Sequence, residues 1–270
     1  MTALIMGIVN ATPDSFSDGG RYLDPQRAID RALELVRDGA AMIDIGGEST
    51  RPGSDRVPPH VELDRVLPVV AALAERGVTV SIDTMNASTA AAAVAAGARI
   101  VNDVSGGLAD PDMLEAVAET TADIALGHWR GPSAEMYARA EYRDVARDVT
   151  TELDERLRAA AAAGIAPSRV ILDPGIGFGK TAAQNWGMLH GIARLVALGP
   201  RVLVGTSRKR FLQTVLGDEP SEWRRDAATA VTSVLAAQAG VWAVRVHDAA
   251  ATRDALAVGE AWKAGDAWAG

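Results

Sequence analysis

Arg169-Val170-Ile171-Leu172-Asp173-Pro174-Gly175-Ile176-Gly177-Phe178-Gly179-Lys180 joins a short apolar run to an abrupt polar exit. Val170 to Leu172 carries no polar side chain, which suits a strand buried on both faces, as in a parallel sheet. Asp173 ends the run, and Pro174 with glycines at every second position after it turns the chain sharply away. That is where a parallel sheet keeps ligands. Taken alone, Asp173 is equally a turn former, because Asp-Pro and glycine-rich segments punctuate loops. Two nucleotide signatures fail here. A P-loop ending in Gly179-Lys180-Thr181 requires a glycine where Pro174 stands, and a dinucleotide fingerprint on Gly175 and Gly177 requires its last glycine at Lys180.

The same event recurs along the chain. Apolar runs predict strands at 4–9, 42–47, 78–82, 99–101, 122–126, 170–172, 202–205 and 241–244. Helical spacing predicts helices at 25–38, 61–76, 88–96, 111–119, 145–163 and 227–239, one running through Trp186, Leu189, Ile192 and Leu195, and one after Asp248 to near Trp262. Residues 12–20 form a long polar loop, 131–142 an irregular insertion and 218–225 another loop. Strand and helix thus alternate through 270 residues with no second-domain linker, which predicts a single (β/α)8 TIM barrel over 1–270. A doubly wound open sheet is the rival architecture.

Composition narrows the function classes. A hydrophobic fraction of 48% supports a sizeable core, and 23% charged residues give an ordinary soluble surface. No apolar segment approaches the roughly 20 residues that cross a bilayer, and no secretory leader is visible at the amino terminus. The absence of cysteine excludes disulfide scaffolds and thiolate metal sites, and is compatible with the cytoplasm. A net charge of −8 argues against nonspecific nucleic-acid binding. The four histidines are scattered, with no His-Glu-x-x-His pair for a zinc hydrolase.

A barrel gathers the residues just past each strand onto one face. Here these are Asn10, Glu48 with Arg51, Asp83, Asn102, His128, Asp173, Ser207 with Lys209, and Arg245 with His247. Asp83, Asn102 and Asp173 are rich in acceptors and suit a flat heterocycle that donates hydrogen bonds. Arg51, Arg245 and His247 suit phosphate oxygens, and the Asn10 carbonyl suits a hard cation such as Mg2+. The combination implies a ring with a phosphorylated arm. Blander readings exist for single residues: Asp83 as a helix cap, Arg51 as a solvated loop charge, Asn102 in a turn and His247 as a satisfied rim histidine.

Taken together, the motifs resemble dihydropteroate synthase from about Met6 to Trp262. The matching stretches are 6–20 (MGIVNATPDSFSDGG), 43–53 (IDIGGESTRPG), 81–84 (SIDT), 101–107 (VNDVSGG), 173–178 (DPGIGF), 207–209 (SRK) and 245–248 (RVHD). The resemblance implies that Asp83, Asn102, Asp173 and Lys209 hold the pterin, with Arg245 stacking near it. It implies Mg2+ at Asn10, and the diphosphate at Thr50, Arg51, Arg245, Val246 and His247. Phe16, Thr50, Pro52, Phe178 and Lys209 would border the p-aminobenzoate pocket, the first two loops closing over it, and Asp18 would help stabilise charge on the pterin methylene. The implied reaction condenses 6-hydroxymethyl-7,8-dihydropterin diphosphate with p-aminobenzoate by an SN1-like route, with catalytic roles for Asp18, Asp173, Lys209, Arg245 and His247. Sulfonamides, as arylamine mimics, would enter the same pocket.

Two positions depart from many relatives: Gly127 stands where methionine is common, and Arg210 where some carry serine. Neither removes a proposed catalytic group. The alternatives are a non-catalytic pterin-binding or regulatory paralogue, which would lack one of the motif Asp or Lys residues, and a methyltransferase partner domain, which would lack the Ser49-Thr50-Arg51-Pro52 and Arg245-Val246-His247 apparatus. All are present. A homodimer is expected, with Val231, Val234, Leu235 and Leu256 as interface or core residues. No nucleic-acid or membrane partner is expected.

Overall fold

Eight short parallel strands close on themselves in sequence order in the computed structural model, which describes residues 2–12, 25–48, 57–132, 136–138 and 140–265. They are β1 (Leu4–Asn10), β2 (Met42–Gly46), β3 (Val80–Asp83), β4 (Ile100–Asp103), β5 (Asp123–Gly127), β6 (Val170–Asp173), β7 (Arg201–Val204) and β8 (Ala243–Val246). Helices follow the strands: α1 (Pro25–Arg37), α2 (Pro59–Glu75), α3 (Ala87–Ala95), α4 (Met113–Ala118), α5 (Val145–Ala162), α6 (Ala182–His190), α7 (Ile192–Val196), α8 (Gln213–Leu216), α9 (Glu222–Gln238) and α10 (Ala249–Ala264). This is a (β/α)8 barrel, not an open sheet.

Two apolar cores divide the strand residues by alternation. One set of side chains faces the helices and packs with Leu35, Val66, Val69, Leu153 and Met188. The other fills the barrel's lower interior: Met6, Met42, Ile100, Ala125, Ile171, Leu203 and Ala243. Because a strand repeats every second residue, the next interior layer toward the C-terminal rim is fixed by adding two. Met42 leads to Asp44, Ser81 to Asp83, Ile100 to Asn102, Ile171 to Asp173 and Ala243 to Arg245. An apolar plug therefore carries a charged floor directly above it.

Several boundaries differ from the sequence reading, each for a local reason. Asp83, Asn102, Asp103, Arg245 and Val246 belong to strands, not to the loops beyond them, since β3, β4 and β8 extend to pair with their neighbours. The expected single helix through Trp186 and Leu195 breaks at Gly191, where a Cβ would lie 2.4 Å from that of Ala146 on α5. The expected 218–225 loop contains the first turn of α9, N-capped by Ser221, and α8 precedes it. Asp226 is buried on that early turn, where it receives Arg208.

Candidate active site

The floor of the rim is a charged knot. Arg245 donates from Nε to Asp44 Oδ2 at 2.6 Å and from Nη2 to Asp83 Oδ2 at 2.8 Å. Asn102 donates to the same Asp44 oxygen at 2.9 Å. Burial, the largest influence on Arg245, opposes its charge, but the Asp44 and Asp83 carboxylates more than offset this and hold it above its ordinary range. Burial raises Asp83 to about 7, with Arg245 pulling the other way and the Asp44 charge adding to the rise. The other Asp44 oxygen is buried and has no hydrogen-bond partner among the described residues. The helix-cap reading of Asp83 does not hold, because Asn86 occupies the α3 N-cap position.

Above this knot opens a cavity of about 1400 Å³. Asn10, Asn102, Asp173, Phe178, Lys209, Arg245 and His247 all reach its wall. Asp83 lies beneath, against Arg245, while Val246 is buried in the core that faces the helices. Phe16, Asp18, Thr50, Arg51 and Pro52 lie outside the described residues.

The β6–α6 turn supplies one side of the cavity. Asp173 Oδ1 accepts from Gly175 N at 2.7 Å, which aims the carboxylate. Gly175 has φ +62°, and a Cβ there would sit 2.3 Å from the His128 carbonyl oxygen, so glycine is required both for conformation and for approach. Lys209 closes the turn from above: its ammonium donates to the Ile176 carbonyl and lies 4.6 Å from the centre of the Phe178 ring. Burial lowers Lys209 to about 8, against the attraction of Asp173. Burial raises Asp173, against Lys209 and the Gly175 N–H. The strained Arg208, with φ +57°, delivers Lys209 to this position and is held by two parallel bonds to Asp226 at 2.7 and 2.8 Å.

His247 and Arg31 bring groups suited to an anion to the same cavity. His247 Nδ1 is 2.8 Å from Ser207 Oγ, and its carbonyl accepts from Arg31 of α1 at 2.9 Å. Arg31 also lines the cavity. Below the β6–α6 turn, His128 Nε2 is 2.9 Å from Glu152 Oε2, and its Nδ1 is 3.0 Å from the fully buried Lys180 Nζ. Burial lowers His128 to about 4, with the Lys180 charge adding to the effect against the pull of Glu152. An imidazole kept neutral in the fold stabilises the protein above its unfolded value of about 6.5 and loses that contribution as pH falls through about 4. The expected loss over that window is on the order of 3 kcal/mol at about 1.4 kcal/mol per pKa unit. Urea unfolding of the His128→Asn variant should therefore show a flatter stability profile between pH 6.5 and 4 than the unaltered chain, and equal slopes would refute this.

Residues 6–247 match the pterin binding enzyme family. The chain is 51% identical to the dihydropteroate synthase of Mycobacterium leprae over 253 residues, 92% of this chain and 89% of that one. The chain belongs to the dihydropteroate synthase family. Dihydropteroate synthase from Xanthomonas albilineans with 4-aminobenzoic acid superposes with a TM-score of 0.90 at 44% identity, covering 97% of this chain and 94% of that one. The same enzyme in complex with 7,8-dihydropteroate gives 0.87 at 42% identity, with the same coverage. The activity is accordingly that of dihydropteroate synthase, a transferase of folate biosynthesis that forms 7,8-dihydropteroate and diphosphate from the dihydropterin diphosphate and p-aminobenzoate. Nothing in these comparisons favours a non-catalytic paralogue.

Sequence reasoning missed Asp44, Arg31 and Lys180 as parts of this site. Asp44 had a signal, an aspartate between Ile43 and Ile45 in a buried strand. Arg31 had none, being one of several charges on the polar face of a helix.

Proposed function

We propose that the two sides of the cavity divide the two halves of the reaction. Asp173, Asn102 and Lys209, above the Asp44–Asp83–Arg245 knot, hold the pterin ring. The observation that carries this reading is the position of the half-buried Asp173 carboxylate, aimed by Gly175 N–H and facing Lys209 on the cavity wall. A flat ring presenting N–H donors complements that arrangement. Arg245 and His247 face the diphosphate, joined by Arg51 and Thr50 of the family motifs; the Val246 side chain, turned into the helix-facing core, takes no part. Phe178 and Lys209 border the arylamine pocket together with Phe16, Thr50 and Pro52, the pocket in which a sulfonamide would compete.

The chemistry follows an SN1-like order. Departure of diphosphate leaves a cationic pterin methylene, which Asp173, and Asp18 from the first loop, stabilise electrostatically. The p-aminobenzoate nitrogen then attacks the methylene carbon and loses a proton. Lys209 and Arg245 orient the ring, and His247 and Arg245 bind the leaving anion; no covalent bond to the protein forms.

Among the described residues no group of three or more His, Asp or Glu side chains could hold a metal ion. Mg2+ needs no such cage, since it commonly keeps waters and takes one or two protein oxygens plus substrate phosphates. Asn10 fits as that protein ligand: its side chain reaches the cavity wall and its amide oxygen is a hard donor. When bound, Mg2+ would neutralise charge on the departing diphosphate. Chelation should reduce diphosphate release at least tenfold and Mg2+ should restore it, whereas Asn10→Ala should raise the Mg2+ requirement. Indifference to chelation would remove the metal from this account.

A single pterin-binding domain over 1–270, working as a homodimer in the cytoplasm, completes the reading. Leu256 is buried and Val234 partly so, but Val231, Leu235, Val258 and Trp262 stand 60%, 58%, 68% and 85% exposed on the packed helices α9 and α10. A second copy of this chain is the partner such an apolar face fits. Sedimentation should give a dimer that Leu235→Glu dissociates; a monomeric unaltered chain would refute it.

A further inference from the structure

Lys180 is among the largest fully buried side chains, 2% exposed, and the reaction outlined above makes no use of it. Its ammonium meets three acceptors: His128 Nδ1 at 3.0 Å, Gly175 O at 3.0 Å and Phe178 O at 3.1 Å. Burial lowers Lys180 to about 7, with the Asp173 charge opposing, and the three acceptors match the three N–H groups of its ammonium form. The His128 ring is fixed by the same contact. With Nδ1 accepting from Lys180, Nε2 carries the proton and donates to Glu152, which Arg130 also grips.

The rest of the β6–α6 turn is held as closely. Lys209 takes Ile176 O, Tyr137 approaches Gly177 O at 3.4 Å and Tyr142 donates to Gly179 O at 2.9 Å. Each carbonyl from Gly175 to Gly179 thus faces a donor, and Lys180 supplies two of the five, from inside the wall. The turn carries the two groups that face different substrates, the Asp173 carboxylate through Gly175 N and the Phe178 ring.

We propose that Lys180 is a positioning residue: its ammonium, anchored on His128 and Glu152, fixes the Gly175–Phe178 turn so that Asp173 meets the pterin and Phe178 the arylamine in one geometry. The inference rests on the reading of this cavity as the substrate site. It makes the Lys180 charge a determinant of binding for both substrates although its ammonium is spent on the wall itself. A residue that pre-organises a wall acts mainly on KM, since each substrate must then order the turn itself.

The absence of cysteine from the chain allows a test that separates charge from packing. Lys180→Cys provides a single thiol, which is alkylated in denaturant and refolded. 2-Bromoethylamine rebuilds an ammonium of lysine length, and 1-bromopropane gives a neutral side chain of similar shape. The propyl form should raise KM for both p-aminobenzoate and the pterin diphosphate about tenfold or more, with kcat changed less, and the aminoethyl form should return both to within about threefold of the unaltered chain. Hydrogen exchange gives a readout independent of turnover. Protection of the Gly175, Gly177 and Phe178 amides should fall at least tenfold in the propyl form and recover in the aminoethyl form, with barrel-strand amides unchanged. Unchanged protection in the propyl form, or equal loss in both forms, would overturn the proposal. Should the unaltered chain itself form no dihydropteroate, the assignment of activity fails, while exchange still decides what Lys180 holds.

Discussion

Replacing Asp173 by asparagine should lower kcat/KM for dihydropteroate formation by about 30-fold to several thousand-fold, with most of the loss appearing as weakened pterin binding. The range brackets the roughly hundred- to thousandfold lost when one pre-organised electrostatic group of an active site is removed. Asparagine keeps the shape and one acceptor for Gly175 N–H, so the turn should survive. What disappears is the negative charge beside Lys209, and with it the counterpart of a developing methylene cation. Steady-state kinetics with a parallel titration of pterin binding separates the two contributions. A variant within threefold of the unaltered chain would remove Asp173 from the site.

The second large effect is one of stability. Arg245→Met should cost about 3–5 kcal/mol at pH 7, because it strands Asp44 and Asp83 in the barrel interior without their cation. The sign of its pH dependence follows from that loss. Burial already raises Asp83 to about 7 against the pull of Arg245, and without the guanidinium it rises further, so its contribution is intact below the unfolded value of about 4 and is lost as pH rises through the folded value. The deficit relative to the unaltered chain should therefore shrink between pH 7 and pH 5. Urea midpoints at both pH values measure this, and activity should fall in the same variant, since Arg245 also faces the cavity. A cost under 1 kcal/mol, or one that grows on acidification, would contradict the described knot.

Much of this arrangement was legible before any coordinates, for a physical reason. A parallel barrel strand buries both faces, so its sequence is apolar until it reaches the rim, and the first polar residues mark the face where ligands bind. Asn10, Asn102, Asp173, Lys209 and His247 were found in this way, and all reach one cavity. The same habit of looking only past the strand hid Asp44. It lies two residues after Met42 in the barrel interior, and a period-two count from the apolar plug finds it together with Asp83, Asn102, Asp173 and Arg245.

Other features were not written locally. The break at Gly191 depends on how closely α5 brings Ala146, a tertiary contact, whereas the start of α9 has a local signal that the reading overlooked, Ser221 as an N-cap. Lys180 was set aside as a fragment of a failed P-loop. Its partner His128, and Glu152 bonded behind that ring, come from β5–α5, about 50 and 30 residues earlier in the chain, a separation that only folding closes.

The most direct test of the central claim is to supply the purified chain with 6-hydroxymethyl-7,8-dihydropterin diphosphate, Mg2+ and p-aminobenzoate, and to identify the pterin product by mass. The account predicts 7,8-dihydropteroate, formed only when the arylamine is present, in step with diphosphate release and suppressed by a sulfonamide. Tight binding of the pterin diphosphate with no dihydropteroate formed would contradict it.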